Sequence, residues 1–414
     1  MRPFTMLSLM LLNPFPGDDE AAPPSPLPSF KRIVIDDTFP GGYQVEVADV
    51  NGDTRPDIIA LGGGTCAWYE NPSWQKRIIT GPDQTPGIIS SATTDLDGDG
   101  RAEVAIAYDF AMREPTRGKL GLARPGASPD DKWSFQTIAE VPSIHRLRWG
   151  DTRGDGRLDL IVAPIFGPDS TPPAFQEDSA RLMVFPSFTI GANRPKPESV
   201  ALAPVMHAIA VVRLPENHRD SILSASNLGV SLHRRAEVVD PESPHTWLSV
   251  RLTPGASGTP PARGASEIHL GHFGSDHALL ATIEPWHGSN VAISTIPRAA
   301  LTTVGHQPDQ IGPRTILDDS LDDGHALWLA DVNGDGIDEV FAGHRGTNHR
   351  VSVYHFDGKT WQRTILDSTI AAQDLRGGDL NQDGIPDIVA IGGTSQNVIW
   401  YRPRPASTSA SSHP

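Results

Sequence analysis

The chain has 414 residues, with 39 glycines, 38 prolines and only 20% charged side chains. Short apolar runs interrupted by Gly, Pro, Asp and Asn recur along it, which is typical of many short strands joined by tight turns. The formal net charge is −16 and no basic run occurs, which argues against a nucleic-acid-binding protein. The single cysteine, Cys66, excludes an internal disulfide framework.

The first 28 residues are predicted to lie outside the folded domain. Residues 4–12 form an apolar run that is too short to span a bilayer as a helix. An acidic, proline-rich stretch follows, in which Ala21 and Ala22 offer small residues for cleavage. These features favour a secretory signal and a secreted or periplasmic location, with a disordered tail as the alternative. Residues 405–414, rich in Ser and Ala, are predicted to be a disordered tail.

Seven similar segments recur along the chain, and their first residues lie 46 to 62 positions apart. That period suits one four-stranded propeller blade per repeat. The segments that are clear begin at Asp49, Asp95, Asp151, Asp331 and Asp379, and the degenerate ones begin at Arg213 and His272.

Each repeat has the same predicted order of strands. An apolar strand A leads into the acidic loop, strand B leaves it, and strands C and D follow a glycine-rich turn. The seventh repeat ends after strand C, whereas a spare strand of the D type lies at residues 31–35. Pairing of that strand with the last blade would close the ring and remove its exposed edges. The sequence therefore predicts an all-β, seven-bladed propeller over residues 29–404.

Five of the acidic loops carry acidic side chains at positions one, five and nine, and four of the five also carry Asn or Asp at position three. Oxygens at these positions can together surround Ca²⁺. Position twelve is aliphatic in all five, so these are not EF-hands, whose Glu at that position is bidentate. Arg153 occupies position three of the third loop, where a guanidinium is an alternative to an ion. We expect structural calcium sites formed by Asp49, Asn51, Asp53, Asp57; Asp95, Asp97, Asp99, Glu103; Asp151, Asp155, Asp159; Asp331, Asn333, Asp335, Glu339; and Asp379, Asn381, Asp383, Asp387.

Histidines are concentrated at one position of strand A, six residues before each loop begins. Strand A starts at the mouth of a propeller, where small ligands bind near the axis. Three of the seven residues there are histidine, in a chain with 15 histidines in total. The seven residues are Tyr43, Ile89, His145, His207, Ser266, His325 and Gln373.

The loops that leave strand B are expected to reach the same mouth, and they contribute Glu284, His287 and Arg345 as candidate catalytic residues. A metal centre is predicted from the imidazoles, because three or four of them with an open position suit Zn²⁺ or another divalent transition metal. The alternative is a set of separate polar residues lining a wet channel. The four predicted axial ligands are His145, His207, His287 and His325.

Two resemblances follow from these motifs. The acidic loops and their flanking strands resemble FG-GAP/VCBS repeats over nearly the whole chain. The strings SIHRLRWGD (143–151), IEPWHGSN (283–290), GHALWLADVNGDGIDEVFAGHRG (324–346) and NVIWY (397–401) look like the propeller domain of the aldos-2-ulose dehydratase, or 1,5-anhydrofructose dehydratase, family. The resemblance implies a metal-dependent elimination of water from a keto-sugar. Because the chain ends after the propeller, only this dehydratase half of the family's activities is expected.

Two other functions remain open at this stage. One is a non-catalytic, exported calcium-binding propeller that binds carbohydrate or protein, with no membrane span. The other is a polysaccharide lyase, which would require a basic groove and a Tyr, Lys or Arg base. The acidic net charge and the presence of only five tyrosines argue against that lyase. A small sugar or keto-sugar is the expected ligand, and no nucleic acid is expected as a partner.

Overall fold

The computed structural model describes residues 25–188, 196–214, 217–236, 247–302 and 311–404. Residues 1–24 of the predicted signal-like segment and the predicted tail at 405–414 lie outside this range. Within it, seven antiparallel sheets of four strands each are arranged as the blades of a propeller. The predicted all-β, seven-bladed architecture is therefore confirmed.

The strands follow the chain order in six of the blades. Strand β1 (Ser29–Asp36) precedes the first blade. Blades one to three are formed by β2 (Gly42–Ala48), β3 (Asp57–Gly62), β4 (Thr65–Glu70), β5 (Gln75–Thr80); β6 (Ser90–Thr94), β7 (Glu103–Tyr108), β8 (Lys119–Arg124), β9 (Ser134–Glu140); and β10 (Ile144–Gly150), β11 (Asp159–Pro164), β12 (Ala180–Phe185), β13 (Glu198–Ala203).

The second half of the chain repeats this arrangement. Blades four to seven contain β14 (Met206–Arg213), β15 (Asp220–Ser226), β16 (Gly229–Arg235), β17 (Trp247–Thr253); β18 (Glu267–Phe273), β19 (His277–Glu284), β20 (Asn290–Pro297), β21 (Thr315–Asp318); β22 (Gly324–Ala330), β23 (Glu339–His344), β24 (Arg350–Phe356), β25 (Trp361–Asp367); and β26 (Ala372–Gly378), β27 (Asp387–Gly392), β28 (Val398–Arg404). A short helix, α1 (Arg298–Thr302), follows β20. No helix of the described ranges is long and apolar enough to cross a membrane.

The seventh blade is completed by the N-terminal strand. β1 pairs antiparallel with β28, so that Ile33 lies opposite Trp400 and Lys31 opposite Arg402. The sheet order is β1-β28-β27-β26, which joins the two ends of the propeller within one blade. This pairing is the closure that the spare strand predicted.

The hydrophobic core lies between neighbouring blades. The second strand of several blades begins with an acid, continues as an apolar run and is buried along its whole length, as in β3, β7, β11 and β27. One core cluster joins Val45 and Ile58 of blade one to Val389 and Trp400 of blade seven. Each blade therefore buries its two faces against its neighbours, and this burial is the main source of stability.

Buried tyrosine–aspartate hydrogen bonds tie three pairs of neighbouring blades together. In each pair, a tyrosine from the third strand of one blade donates to an aspartate that ends the outer strand of the previous blade. The pairs are Tyr69–Asp36 (2.5 Å), Tyr354–Asp318 (2.7 Å) and Tyr401–Asp367 (2.8 Å). Each aspartate also accepts bonds from the amide and hydroxyl of the Ser or Thr two residues later. These contacts fix the angle between adjacent blades.

We expect Tyr354→Phe to lower the free energy of unfolding by about 1.5–3 kcal/mol, because the buried Asp318 carboxylate loses a hydrogen-bond donor. Tyr108→Phe is the matched control. The Tyr108 hydroxyl bonds the neutral Thr137 hydroxyl within a single blade, so its loss costs about 0.5–1.5 kcal/mol. Urea denaturation of both variants measures the two losses. Equal losses would contradict a special role of the bonds between blades.

The same bonds predict a loss of stability in acid. Burial by itself would raise the pKa of Asp36, but hydrogen bonds from Lys76, Tyr69 and Thr38 lower it to about 2. An aspartate in the unfolded chain has a pKa of about 3.9. The folded state therefore gains stability from ionised Asp36 above about pH 4 and loses it as the pH falls towards 2. The difference in unfolding free energy between the wild type and Asp36→Asn should shrink over this interval, and a constant difference would contradict the prediction.

Candidate metal centre

Four histidine rings from different blades meet at the mouth of the propeller. His145, His207 and His325 come from the first strands of blades three, four and six, and His287 follows the second strand of blade five. Ring centroids are 4.8 Å apart for His145–His207 and for His207–His287, and 5.2 Å apart for His287–His325. The structure thus brings together all four histidines selected from the sequence.

Three of these rings offer nitrogens to a common point. Ligand atoms of His207, His287 and His325 all lie within 4.8 Å of one another. The two Nε2 atoms of His207 and His287 are 3.0 Å apart. Three convergent imidazoles are a donor set of the kind that holds Zn²⁺ and similar divalent metals with a position left open. The residues present therefore fit a transition metal.

Backbone carbonyl groups orient three of the rings. The Nδ1 atom of His325 lies 2.6 Å from the carbonyl oxygen of Gln373, and that of His145 lies 3.0 Å from the carbonyl oxygen of His207. The Nδ1 atom of His207 faces two acceptors, the Ser266 carbonyl oxygen at 3.1 Å and the Glu267 carboxylate at 3.0 Å. A nitrogen that faces only acceptors carries the proton, so Nε2 of His207 and of His325 keeps its lone pair. The Nδ1 atom of His145 also lies 3.2 Å from the Arg146 Nη1 atom, which is a donor.

Burial keeps the imidazoles neutral. It lowers the pKa of His145, His207, His287 and His325 well below the usual value of 6.5, and the nearby positive charge of Arg146 lowers all four further. Metal ligands must be unprotonated, so this environment suits coordination at neutral pH.

Tyr43 also belongs to the cluster, although the sequence did not mark it as a site residue. Its hydroxyl lies 3.0 Å from Nε2 of His145 and 3.4 Å from Nε2 of His325. The Arg146 guanidinium donates to the same hydroxyl at 3.4 Å and pairs with Glu267 at 3.4 Å. The repeats could have indicated Tyr43, because in the first repeat it occupies the position that is histidine in three others.

Arg345 reaches the cluster from the loop after β23. Its Nη2 atom lies 3.2 Å from Nδ1 of His287, and its Nη1 atom donates to Gln373 at 2.7 Å. Its Nε atom donates to Asp323 at 2.8 Å. Asp323 carried no signal in the sequence, because it precedes β22 in a turn outside the repeat pattern and contacts Arg345 only through the fold.

Glu284 is not brought into the cluster. Its carboxylate accepts bonds from Arg314 at 2.6 Å and from the Thr282 hydroxyl at 2.7 Å, and the side chain is buried. Alternate residues of a strand share a face, so Glu284 faces the same side of β19 as Thr282. His287 lies beyond the end of that strand with a positive φ of 50°, which changes the chain direction between the two residues.

An aromatic wall borders the histidines on one side. Phe166 and Phe175 stack with ring centroids 3.8 Å apart, and Trp286 packs edge-on against both. Trp286 also lies 5.2 Å from His287 between ring centroids. The wall gives the mouth an apolar side next to its polar one.

The acidic loops lie away from this cluster and share one geometry. In the second loop, the Asp95 carboxylate accepts bonds from the amides of Gly98 and Gly100. Ligand oxygens of Asp95, Asp97 and Asp99 all lie within 4.8 Å of one another. The same pair of amide contacts to the first aspartate recurs in three other loops, at Asp49, Asp151 and Asp331.

The acid at position nine of these loops is buried and helps to fold the loop. Glu103 accepts a bond from the amide of Leu96, and burial followed by the nearby Asp97 and Asp95 raises its pKa to about 7. In the third loop, Arg153 turns outward to Glu198 at 2.9 Å. That loop therefore lacks the third oxygen ligand of the others.

Comparison with known proteins supports the repeat assignment. A family model described as an FG-GAP-like repeat matches residues 49–106 and 331–404. Aldos-2-ulose dehydratase of Phanerodontia chrysosporium is 25% identical over 379 residues, and the match covers 83% of this chain but 40% of that protein. The chain thus spans less than half the length of this relative.

Solved structures align with most of the chain at low sequence identity. The extracellular domain of the putative one-component system BT4673 from B. thetaiotaomicron has a TM-score of 0.48 and 12% identity, over 90% of this chain and 39% of that one. The exotype rhamnogalacturonan lyase YesX has a TM-score of 0.44 and 11% identity, over 93% and 76% of the two chains. The chain is therefore a seven-bladed propeller with FG-GAP-like repeats, similar in sequence to aldos-2-ulose dehydratase.

Proposed function

We propose that this protein is a metal-dependent carbohydrate lyase that eliminates water from a keto-sugar such as 1,5-anhydrofructose. The observation that carries the proposal is the convergence of His207, His287 and His325 at the propeller mouth. The sequence similarity to a protein named aldos-2-ulose dehydratase, which extends over most of this chain, supports the same class of reaction.

In this proposal, His207, His287 and His325 hold a divalent transition metal. Such an ion supplies a Lewis acid that polarises the keto oxygen and so acidifies the neighbouring C–H bond. Arg345 lies beside the His287 ring, on the side opposite its Nε2 atom, and is bonded to Gln373 and Asp323.

Proton transfer is assigned to the Tyr43–His145 pair. The pair lies against the metal ligands, with 3.0 Å between the hydroxyl and the His145 Nε2 atom. β-Elimination takes a proton from the carbon next to the ketone and gives one to the departing hydroxyl, which leaves as water. A hydrogen-bonded pair next to the ligands can accept the first proton and return the second, provided that the substrate lies within hydrogen-bonding reach.

The first test is a metal analysis of the purified protein together with His207→Ala. We expect about one transition-metal ion per chain in the wild type and its loss in the variant, because one of three convergent ligands is removed. His233→Ala is the matched control, since this buried histidine bonds Ser224 and Ser249 inside blade four. The control should retain the metal.

Activity is measured with 1,5-anhydrofructose by the ultraviolet absorbance of the unsaturated ketone that elimination produces. The wild type and His233→Ala should show turnover, whereas His207→Ala should lose at least about 100-fold in kcat/KM, or about 2.7 kcal/mol. A wild-type protein that binds calcium alone and leaves keto-sugars unchanged would favour the alternative, a non-catalytic binding propeller.

We also propose that the acidic loops bind structural Ca²⁺, and that the loop at Asp95 is the strongest site because its three aspartates converge. Ca²⁺ bound to the folded state alone raises the melting temperature by mass action. Asp97→Asn should reduce the rise in melting temperature on adding Ca²⁺. Asp357→Asn, in the turn between β24 and β25, is the control and should leave that rise unchanged. An equal rise in all three proteins would contradict the assignment of this loop.

A further inference from the structure

His287 differs from His207 and His325, the other two candidate metal ligands, in the surroundings of its Nδ1 atom. That atom lies between a donor and an acceptor, the Arg345 Nη2 atom at 3.2 Å and the Asp323 Oδ1 atom at 3.4 Å. The Nδ1 atoms of His207 and His325 instead face acceptors alone. Among the three candidate metal ligands, His287 is therefore the one whose tautomer the surrounding protein does not settle by itself.

The shorter of these two contacts favours the His287 tautomer that has no lone pair on Nε2. Arginine has only donors, so a bond from Arg345 requires a lone pair on Nδ1 of His287. The proton then lies on Nε2, which faces the Nε2 atom of His207 at 3.0 Å. Because His207 keeps its lone pair there, the two rings form an N–H···N hydrogen bond. This bond engages the Nε2 atoms of His207 and His287, two of the three candidate metal ligands.

Asp323 supplies the means to reverse this arrangement. Its Oδ2 atom accepts the bond from Arg345 at 2.8 Å, whereas its Oδ1 atom is buried and has no hydrogen-bond partner within the described residues. A buried acceptor without a donor is unfavourable, because it has lost its bonds to water. The free Oδ1 atom is the one that faces Nδ1 of His287, and a proton on that nitrogen would satisfy it.

We propose that Asp323 is a positioning residue that selects the metal-binding tautomer of His287. The inference rests on the proposed function, because it assumes that the cluster binds a transition metal. When the metal enters, the His287 proton leaves Nε2 and a proton is taken up at Nδ1 through solvent, so that this ring releases no net proton. Nδ1–H then donates to Asp323, while Arg345 stays bonded to the other carboxylate oxygen and to Gln373.

The contact between Asp323 and His287 agrees with a general feature of metal sites. Carboxylates that orient ligating histidines contribute about 10- to 100-fold to metal affinity. Asp323 has a φ of 60°, a conformation that suits Gly and Asn. Asp323→Gly therefore removes the carboxylate without straining the backbone. Asp323→Asn keeps an acceptor oxygen but loses the charge.

The first test measures zinc affinity by competition with a chromophoric chelator, on the full chain. Asp323→Gly should bind zinc about 10- to 100-fold more weakly than the wild type, and Asp323→Asn should recover part of the loss. Asp374→Asn is the matched control, because this buried carboxylate also pairs with an arginine, Arg376, and accepts a bond from the Val45 amide. Its zinc affinity should equal that of the wild type.

The second test reads the tautomer directly. In protein labelled with ¹⁵N-histidine, the His287 signals should show the proton on Nε2 without metal and on Nδ1 with zinc, with His287→Gln used for assignment. Zinc binding of wild-type strength in Asp323→Gly, or a proton on Nδ1 in both states, would overturn the role of Asp323 alone. A wild type that binds no zinc would overturn the proposed metal centre and this inference together.

Discussion

Pairing of β1 with β28 is the constraint on which the site depends. An open array of seven blades would leave the first and last sheets free to change their distance and angle. Closure places the first strands of all seven blades around one axis at set angles. His145, His207 and His325 are the second residues of three of those strands. Closure of the propeller therefore sets the distances between their imidazoles.

Burial and hydrogen bonding then turn these histidines into a chemically defined cluster. Removal from water favours neutral imidazole, and the neighbouring arginines add to this preference by charge repulsion. Backbone carbonyl groups accept bonds from the Nδ1–H groups of His207 and His325. Strand geometry thus decides the tautomer of these two rings as well as their position. The two arginines beside the cluster, Arg146 and Arg345, form ion pairs with Glu267 and Asp323. Each positive charge there therefore has a negative partner.

The repeat pattern made the fold and the location of the site predictable. The acidic loops recur with a blade-like period, and the position six residues before each loop falls at or next to the start of the first strand in every blade. His145, His207 and His325 were found in this way, and Tyr43 was visible at the same position. His287 was found because it follows the second strand of its blade, which ends at the same mouth.

The sequence could not predict contacts that depend on side-chain direction or on the packing of one blade against the next. Glu284 and His287 are three residues apart, yet a change of chain direction at a positive φ sends one into the blade and the other into the cluster. Asp323 contacts Arg345 only because β22 and β23 pair antiparallel, which brings the residue before β22 next to the residue after β23. The tyrosine–aspartate bonds between blades depend in the same way on how neighbouring sheets are stacked.

By itself, therefore, the sequence determined the number of blades, the closure by the N-terminal strand and the four histidines at the mouth, because all three follow from a repeated local pattern. Only the tertiary structure decided which three histidines share a common point, which nitrogen of each ring faces it, and that Glu284 lies elsewhere. These properties arise from distances between residues in different blades, and such distances exist only after the ring has closed.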